Sequence, residues 1–177
     1  MFIVVTGGSG SGKSAYAESL IVQSETKKRY YIATMICSDE ESRQRIQRHR
    51  KMRAGKGFET LEIPIGLKNV HVPENSAVLL ECMSNLSANE MFAGDKPGDA
   101  ASVTAQIMKE IHRLKAECEL LVVVTNEVFS DGRTYDEMTE EYLKCLGMIN
   151  IQMAQIADEV TEVVYTIPII HKRGQTR

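Results

Sequence analysis

An apolar strand running into a glycine-rich loop and then a helix leaves few folds open to this chain. Residues 2–6 are apolar and rich in β-branched side chains, the pattern of a buried strand. Gly7-Gly8-Ser9-Gly10-Ser11-Gly12-Lys13-Ser14 follows at once and fits the spacing G-x4-G-K-[ST]. Residues 13–24 read as a helix with Ala15, Ala17, Leu20 and Ile21 as apolar positions. Glycines let backbone N–H groups converge on phosphate oxygens, and a helix N-terminus adds positive partial charge. In such a loop Lys13 reaches the β- and γ-phosphates of a nucleoside triphosphate, and Ser14 ligates Mg2+. An ordinary glycine-rich turn needs neither the lysine nor both flanks.

The remaining chain repeats the alternation. Strands are expected over 29–34, 77–82, 120–125 and 160–166, the last closed by Pro168. Helices are expected over 39–53, 101–118 and, from the spacing of Met138, Tyr142, Cys145, Ile149, Met153 and Ile156, over 138–156. Continuously apolar strands alternating with helices imply a mostly parallel sheet covered on both faces, an α/β fold. No repeat or linker divides the chain, so residues 1–177 are read as one P-loop domain.

A formal net charge of −3 argues against general nucleic-acid binding and confines phosphate affinity to local features. The apolar runs are too short to span a bilayer, and no signal peptide precedes the first strand, so a cytoplasmic location is expected. Cys37, Cys82, Cys118 and Cys145 form no CxxC pair and are expected as buried, reduced thiols.

A P-loop needs an acidic partner near its metal. Glu81, after Ala77-Val78-Leu79-Leu80, supplies one, because a carboxylate there is costly to bury without a cation or donor. Arg43, Arg45, Arg48, Arg50, Lys51 and Arg53 crowd one predicted helix, and such a run repels itself unless anions are near. His49 lies within it, one helical turn from Arg45 and from Arg53. An imidazole among phosphate-binding arginines can attack an α-phosphate; a solvated helix face is the plainer reading. His71 and His112 read as surface residues, and His171 follows the last expected strand.

Several stretches together resemble one family. They are Gly7-Gly8 with Ser11-Gly12-Lys13-Ser14, Tyr31-Ile32-Ala33-Thr34, Arg45-Ile46 with His49-Arg50, and Thr60-x-Glu62-x-Pro64. Leu79-Leu80-Glu81-Cys82 with Asn89, Thr125-Asn126-Glu127-Val128, Gly147, Asn150, Ala154, Ala157-Asp158-Glu159-Val160 and Ile167-Pro168 complete the set. Their order and content resemble the bifunctional adenosylcobinamide kinase / adenosylcobinamide-phosphate guanylyltransferases of cobalamin assembly.

The resemblance implies a RecA-like sheet, a homo-oligomer, a corrinoid substrate, and GTP and ATP as nucleotides. It implies that His49 takes GMP from GTP, releases pyrophosphate, and passes the GMP to adenosylcobinamide phosphate. It further implies nucleotide contacts from Gly7, Gly8, Ser9, Gly10, Ser11, Gly12, Lys13, Ser14, Thr34, Arg50, Lys51, Met52, Arg53, Glu62 and Glu81. His49 and Lys13 are the expected catalytic residues, and Ser14 and Glu81 the expected Mg2+ ligands. A carboxylate at Glu62 suits the N1–H and N2–H2 donors of guanine.

The sequence departs from the family pattern in four places. Phe129-Ser130-Asp131-Gly132-Arg133 replaces a Gly followed by a Gly-Ile-Val-Pro-like stretch, and this segment is expected to shape the corrinoid pocket or a subunit contact. Lys144-Cys145 stands for an Arg-Asp pair, Phe58 for a Trp, and Thr166 for a Gly before Ile-Pro. Two other readings compete. A simple small-molecule or nucleotide kinase would transfer the γ-phosphoryl group with no covalent GMP. A conformational GTP switch would need the Asn-Lys-x-Asp guanine signature, which Asn126-Glu127 does not provide.

Overall fold

The computed structural model describes residues 1–94, 96–129 and 132–174. Its elements run β1 (Phe2–Thr6), α1 (Lys13–Gln23), β2 (Lys28–Ala33), α2 (Glu40–Arg53), β3 (Phe58–Glu62), β4 (Ser76–Glu81), α3 (Met83–Met91), α4 (Ala100–Glu117), β5 (Leu120–Val124), α5 (Glu137–Ile156), β6 (Glu159–Val164) and β7 (Ile167–Arg173). They form one seven-stranded sheet of order β3-β2-β4-β5-β1-β6-β7. Every pairing is parallel except β6 with β7.

Strand alternation divides the core between two faces. Phe2, Val4, Val78, Leu80, Leu121 and Val123 pack with residues of α3, α4 and α5. Ile3, Val5, Ala77, Leu79, Val122 and Val124 face the other way, toward Ala17 and Ile21 of α1. The central strands β4 and β5 are buried throughout, which explains their unbroken apolar runs.

Three elements were not expected from the sequence: β3, α3 and β7. β3, Phe-Glu-Thr-Leu-Glu at the sheet edge, has no buried residue. β7 holds Pro168 inside an antiparallel edge strand, so the proline does not end the sheet as expected. An edge strand has an unpaired side where a missing N–H costs no ladder bond. The expectation of four buried thiols is also corrected, because Cys37 is exposed; all four cysteines are free. Among the described residues no helix is long and apolar enough to cross a membrane.

Helix α2 is lightly seated. Asp39 and Ser42 cap its start reciprocally. Its basic run also has partners that the sequence reading passed over. Arg43 pairs with Glu40 at 3.5 Å, Arg45 with Glu41 at 3.7 Å, and Arg50 with Glu62 at 2.9 Å. Arg53 is its only buried residue.

Just past its end, Lys56 reaches Glu18 of α1 at 2.6 Å, and Glu18 is fully buried. Removing one partner of such a pair leaves a buried charge uncompensated. Lys56→Met is expected to cost about 2 kcal/mol in urea unfolding, a magnitude reduced because Lys56 is partly solvated. Adding Glu18→Gln should restore most of the loss.

Candidate functional site

The phosphate loop is fixed by close contacts that only glycine allows. A Cβ at Gly7 would stand 2.5 Å from the Val163 carbonyl oxygen, and Gly7 has φ 147°. At Gly12, with φ 94°, a Cβ would meet Thr166 Cγ2 at 3.0 Å. Thr166 belongs to the turn joining β6 and β7, where Tyr165 and Thr166 hold φ 48° and 68°. Such a turn suits the twist of a hairpin but favours glycine, which accounts for a Gly in the family pattern. Here the Thr166 N–H donates to the Ser11 carbonyl at 2.8 Å, so the hairpin props the loop.

Lys13 Nζ donates to the Gly8 carbonyl at 3.0 Å. Burial pushes the Lys13 ammonium below its usual pKa, while nearby Cys82 and Glu81 work in the opposite sense. Ser11 Oγ is buried with no hydrogen-bond partner, an unmet polar atom inside a loop suited to phosphate.

Glu81 ends β4 beside this loop and is only 8% exposed. The Ser14 hydroxyl donates to its Oε1, and the Tyr31 hydroxyl donates to Oε2 at 3.1 Å. His49 Nδ1 lies 3.4 Å from Oε1 and 3.3 Å from the Tyr31 oxygen. Burial works to raise the Glu81 pKa, but His49, Ser14 and Tyr31 together hold it below the ordinary carboxylate value. Tyr31 is shifted the other way, far up, first by burial and then by the Glu81 charge. Its hydroxyl therefore stays protonated and acts as a donor to the carboxylate.

The Tyr31 ring also carries the Arg53 guanidinium 3.4 Å from its centroid, and it meets Phe58 edge to face at 6.2 Å. Arg53 thus fills its buried position by cation–π stacking and a 3.4 Å bond to Thr60.

A cavity of about 490 Å3 opens above the loop. Of the expected site residues, Ser9, Gly10, Ser11, Gly12, Lys13, Ser14, His49, Met52, Arg53, Glu62 and Glu81 line it. Gly7 and Gly8 do not line it; Gly7 packs against the Val163 carbonyl, and the Gly8 carbonyl accepts from Lys13. Thr34 is fully buried, and its hydroxyl ties β2 to β4 through the Cys82 backbone at 2.9 and 2.8 Å. Arg50 pairs with Glu62 at the rim, and Lys51 lines a shallow groove on another side of α2. His71 pairs with Glu117, and His171 with Glu162 on the β6–β7 edge; neither lines the cavity.

Sequence reasoning gave no role to Tyr31, Asn85, Asn126 or Glu127, which also line the cavity. For Asn126 and Glu127 a signal existed: polar residues directly after a buried parallel strand sit where α/β sheets bind ligands. In the altered segment, Phe129 lies over α5, 3.8 Å from a Cβ built on Gly147, while Val128 lines the cavity. Ser130 and Asp131 of that segment lie outside the described residues.

Ser14 and Glu81 offer adjacent oxygen donors, a fit for a hard divalent cation such as Mg2+ that completes its shell with phosphate and water. Among the described residues no cluster of three or more His, Cys, Asp or Glu suggests any other metal centre.

Residues 3–170 match the family model described as cobinamide kinase / cobinamide phosphate guanyltransferase. The bifunctional adenosylcobalamin biosynthesis protein CobU of Escherichia coli (strain K12) is 34% identical over 180 residues, covering 96% of this chain and 98% of that protein. CobU of Salmonella typhimurium is 33% identical with the same coverage. CobP of Pseudomonas aeruginosa, also described as a bifunctional adenosylcobalamin biosynthesis protein, is 27% identical, covering 94% of each chain. Among solved structures, the flagellar accessory protein FlaH of Methanocaldococcus jannaschii superposes with TM-score 0.51 at 13% identity, covering 98% of this chain and 78% of that one. A prototypical ATPase from the type III secretion system of pathogenic bacteria gives TM-score 0.52 at 9% identity, covering 91% and 50%. These two likenesses concern the fold alone, a P-loop sheet of the RecA-like kind.

Proposed function

This chain belongs to the cobinamide kinase / cobinamide phosphate guanyltransferase family, and we propose that it transfers GMP through a covalent bond to His49. One observation carries the reading: the His49 imidazole and the Ser14 hydroxyl of the phosphate loop meet the same buried carboxylate, Glu81. A nucleotide cradled by the loop therefore has its phosphates beside an imidazole.

With the Nδ1 proton shared toward Glu81 and Tyr31, Nε2 keeps its lone pair. Nε2 attacks the α-phosphorus of GTP, an N–P bond forms, and the bond to the bridging oxygen breaks as pyrophosphate leaves. A phosphate oxygen of adenosylcobinamide phosphate then attacks that phosphorus, breaking the N–P bond and regenerating the imidazole. Lys13, Arg45 and Arg53 surround the anionic centre and neutralise charge as it shifts. Glu62, which lines the cavity beside Arg50, would accept from the donor edge of guanine.

In the kinase half-reaction, the loop N–H groups and Lys13 position the β- and γ-phosphates of ATP or GTP. Mg2+, held by Ser14 and Glu81, would neutralise charge on those phosphates when bound. The acceptor is the aminopropanol hydroxyl of adenosylcobinamide. We further place self-association on the exposed β7 edge, where Ile167, Ile169 and Ile170 face outward, with a second copy of this chain as the partner.

The test is labelling with GTP carrying radioactive α-phosphorus. An acid-labile, alkali-stable adduct mapping to His49 is expected, and γ-labelled GTP should leave none. An unlabelled protein that still phosphorylates adenosylcobinamide would make it a plain kinase and overturn the covalent route.

Tyr31→Phe separates positioning from packing. The phenylalanine ring keeps the stack with Arg53 and Phe58 but removes the hydroxyl that fixes Glu81 and His49. The rate of adduct formation at saturating GTP is expected to fall about 10-fold to 100-fold, the scale of a lost charge-assisted bond. The GTP concentration for half-maximal labelling should change little. A raised half-maximal concentration at an unchanged rate would assign Tyr31 to binding instead.

A further inference from the structure

The guanylyl chemistry draws on α2, β3, the phosphate loop and Glu81, and it leaves the residues beyond β4 and β5 without a task. These include Asn85, Asn126 and Glu127, which line the cavity. We propose that Asn126 and Glu127 form the acceptor-alcohol subsite of the kinase half-reaction, with Glu127 taking the hydroxyl proton. This inference rests on the kinase activity of the family and adds the residues that serve its acceptor.

Backbone geometry puts the pair beside the phosphates. Thr125 N–H donates to the Val5 carbonyl at 2.9 Å, and Glu127 N–H to the Gly7 carbonyl at 3.5 Å. Asn126 and Glu127 therefore follow the edge of the loop that holds the β- and γ-phosphates.

Among the described residues three carboxylates line the cavity: Glu62, Glu81 and Glu127. Glu81 lies on the loop side with Ser14, Tyr31 and His49, and Glu62 lies on the β3 side with Arg50. Glu127 is the carboxylate on the β5 side. It is exposed, and one oxygen accepts from the Phe129 N–H at 2.8 Å, which ties it to its own loop.

Asn126 is oriented as firmly. Its Nδ2 donates to Ser84 Oγ at 2.5 Å, and Ser84 is in turn held by Cys82 Sγ at 3.1 Å and by the Tyr142 hydroxyl on its carbonyl at 3.2 Å. With the amide nitrogen committed to Ser84, the amide oxygen is the group left to accept an O–H or N–H. A preorganised acceptor of that kind orients an alcohol without a cost in reorganisation.

The step balances. The acceptor O–H gives its proton to the Glu127 carboxylate, and its oxygen bonds the γ-phosphorus. The bond from that phosphorus to the β–γ bridging oxygen breaks, and a nucleoside diphosphate leaves.

Glu127→Gln keeps shape and removes the base. Its kcat for phosphorylating adenosylcobinamide is expected to fall about 100-fold or more, with KM for the corrinoid within about threefold of the parent. Asn126→Ala should raise that KM about tenfold and lower kcat less. Labelling by α-labelled GTP, which uses the other residues, should persist in both variants and also reports that they fold.

Phosphorylation by Glu127→Gln within threefold of the parent would remove the base assignment. An unchanged corrinoid KM in Asn126→Ala would remove the subsite. Equal loss of phosphorylation and labelling would show damage to the whole cavity and overturn the division of roles. A parent protein that forms the GMP adduct but does not phosphorylate adenosylcobinamide would sink the kinase premise and leave the His49 reading intact.

Discussion

Protein carrying His49→Ala is expected to form no detectable GMP adduct from α-labelled GTP, a loss of at least about 10^4-fold on the scale of removed nucleophiles. Phosphorylation of adenosylcobinamide should persist within about tenfold. The asymmetry follows from position. His49 enters the cavity from α2, whereas Lys13, Ser14 and the loop N–H groups proposed to serve γ-transfer belong to the loop after β1 and the first turn of α1. No neighbour replaces the imidazole as nucleophile, since Tyr31 is held protonated and Lys13 is turned toward the loop carbonyl. An adduct of parental yield in the variant would end the assignment. So would a collapse of phosphorylation as deep as that of labelling, because His49 would then be supporting the cavity as a whole.

What the sequence made legible depended on whether the relevant physics was local. The loop from Gly7 to Ser14 acts through its own backbone, so eight residues and their flanks define it. Glu81 was legible for a related reason: an acid after four buried apolar residues must meet a donor, and Ser14, Tyr31 and His49 are those donors. Tyr31 was not legible as part of the site. Its contacts bridge 18 residues to His49 and 50 to Glu81, and nothing in the local strand sequence announces such a triangle. Thr34 sat in a family motif and was expected to meet nucleotide; its hydroxyl bonds the backbone of Cys82, which itself lines the cavity. The basic run of α2 looked self-repelling because Glu40 and Glu41, one turn earlier, were not counted against Arg43 and Arg45. At the sheet edges β3 and β7 lacked the continuous apolar run that marked the central strands.

Glu81→Gln should be the second most damaging change, because in the proposed reading one carboxylate serves both half-reactions. Glutamine has nearly the same shape but carries no charge. On the loop side, Ser14 would lose an anionic neighbour, and a hard cation binds a neutral amide oxygen more weakly than a carboxylate. The Mg2+ concentration for half-maximal phosphorylation is therefore expected to rise about tenfold, a shift of about 1.4 kcal/mol. On the α2 side, His49 would lose a buried negative partner 3.4 Å away, and with it the stabilisation of positive charge on the ring as the N–P bond forms. Adduct formation should fall about 100-fold, as should phosphorylation at fixed Mg2+. Lys13, which Glu81 helps to keep charged, is affected in the same direction. Excess Mg2+ should restore part of the phosphorylation but not the adduct rate, since only the first loss is one of cation affinity. If excess Mg2+ rescues both equally, Glu81 acts solely on the metal side and its contact with His49 has no catalytic consequence. If labelling alone falls, Glu81 is a partner of the imidazole, and the metal must be held elsewhere.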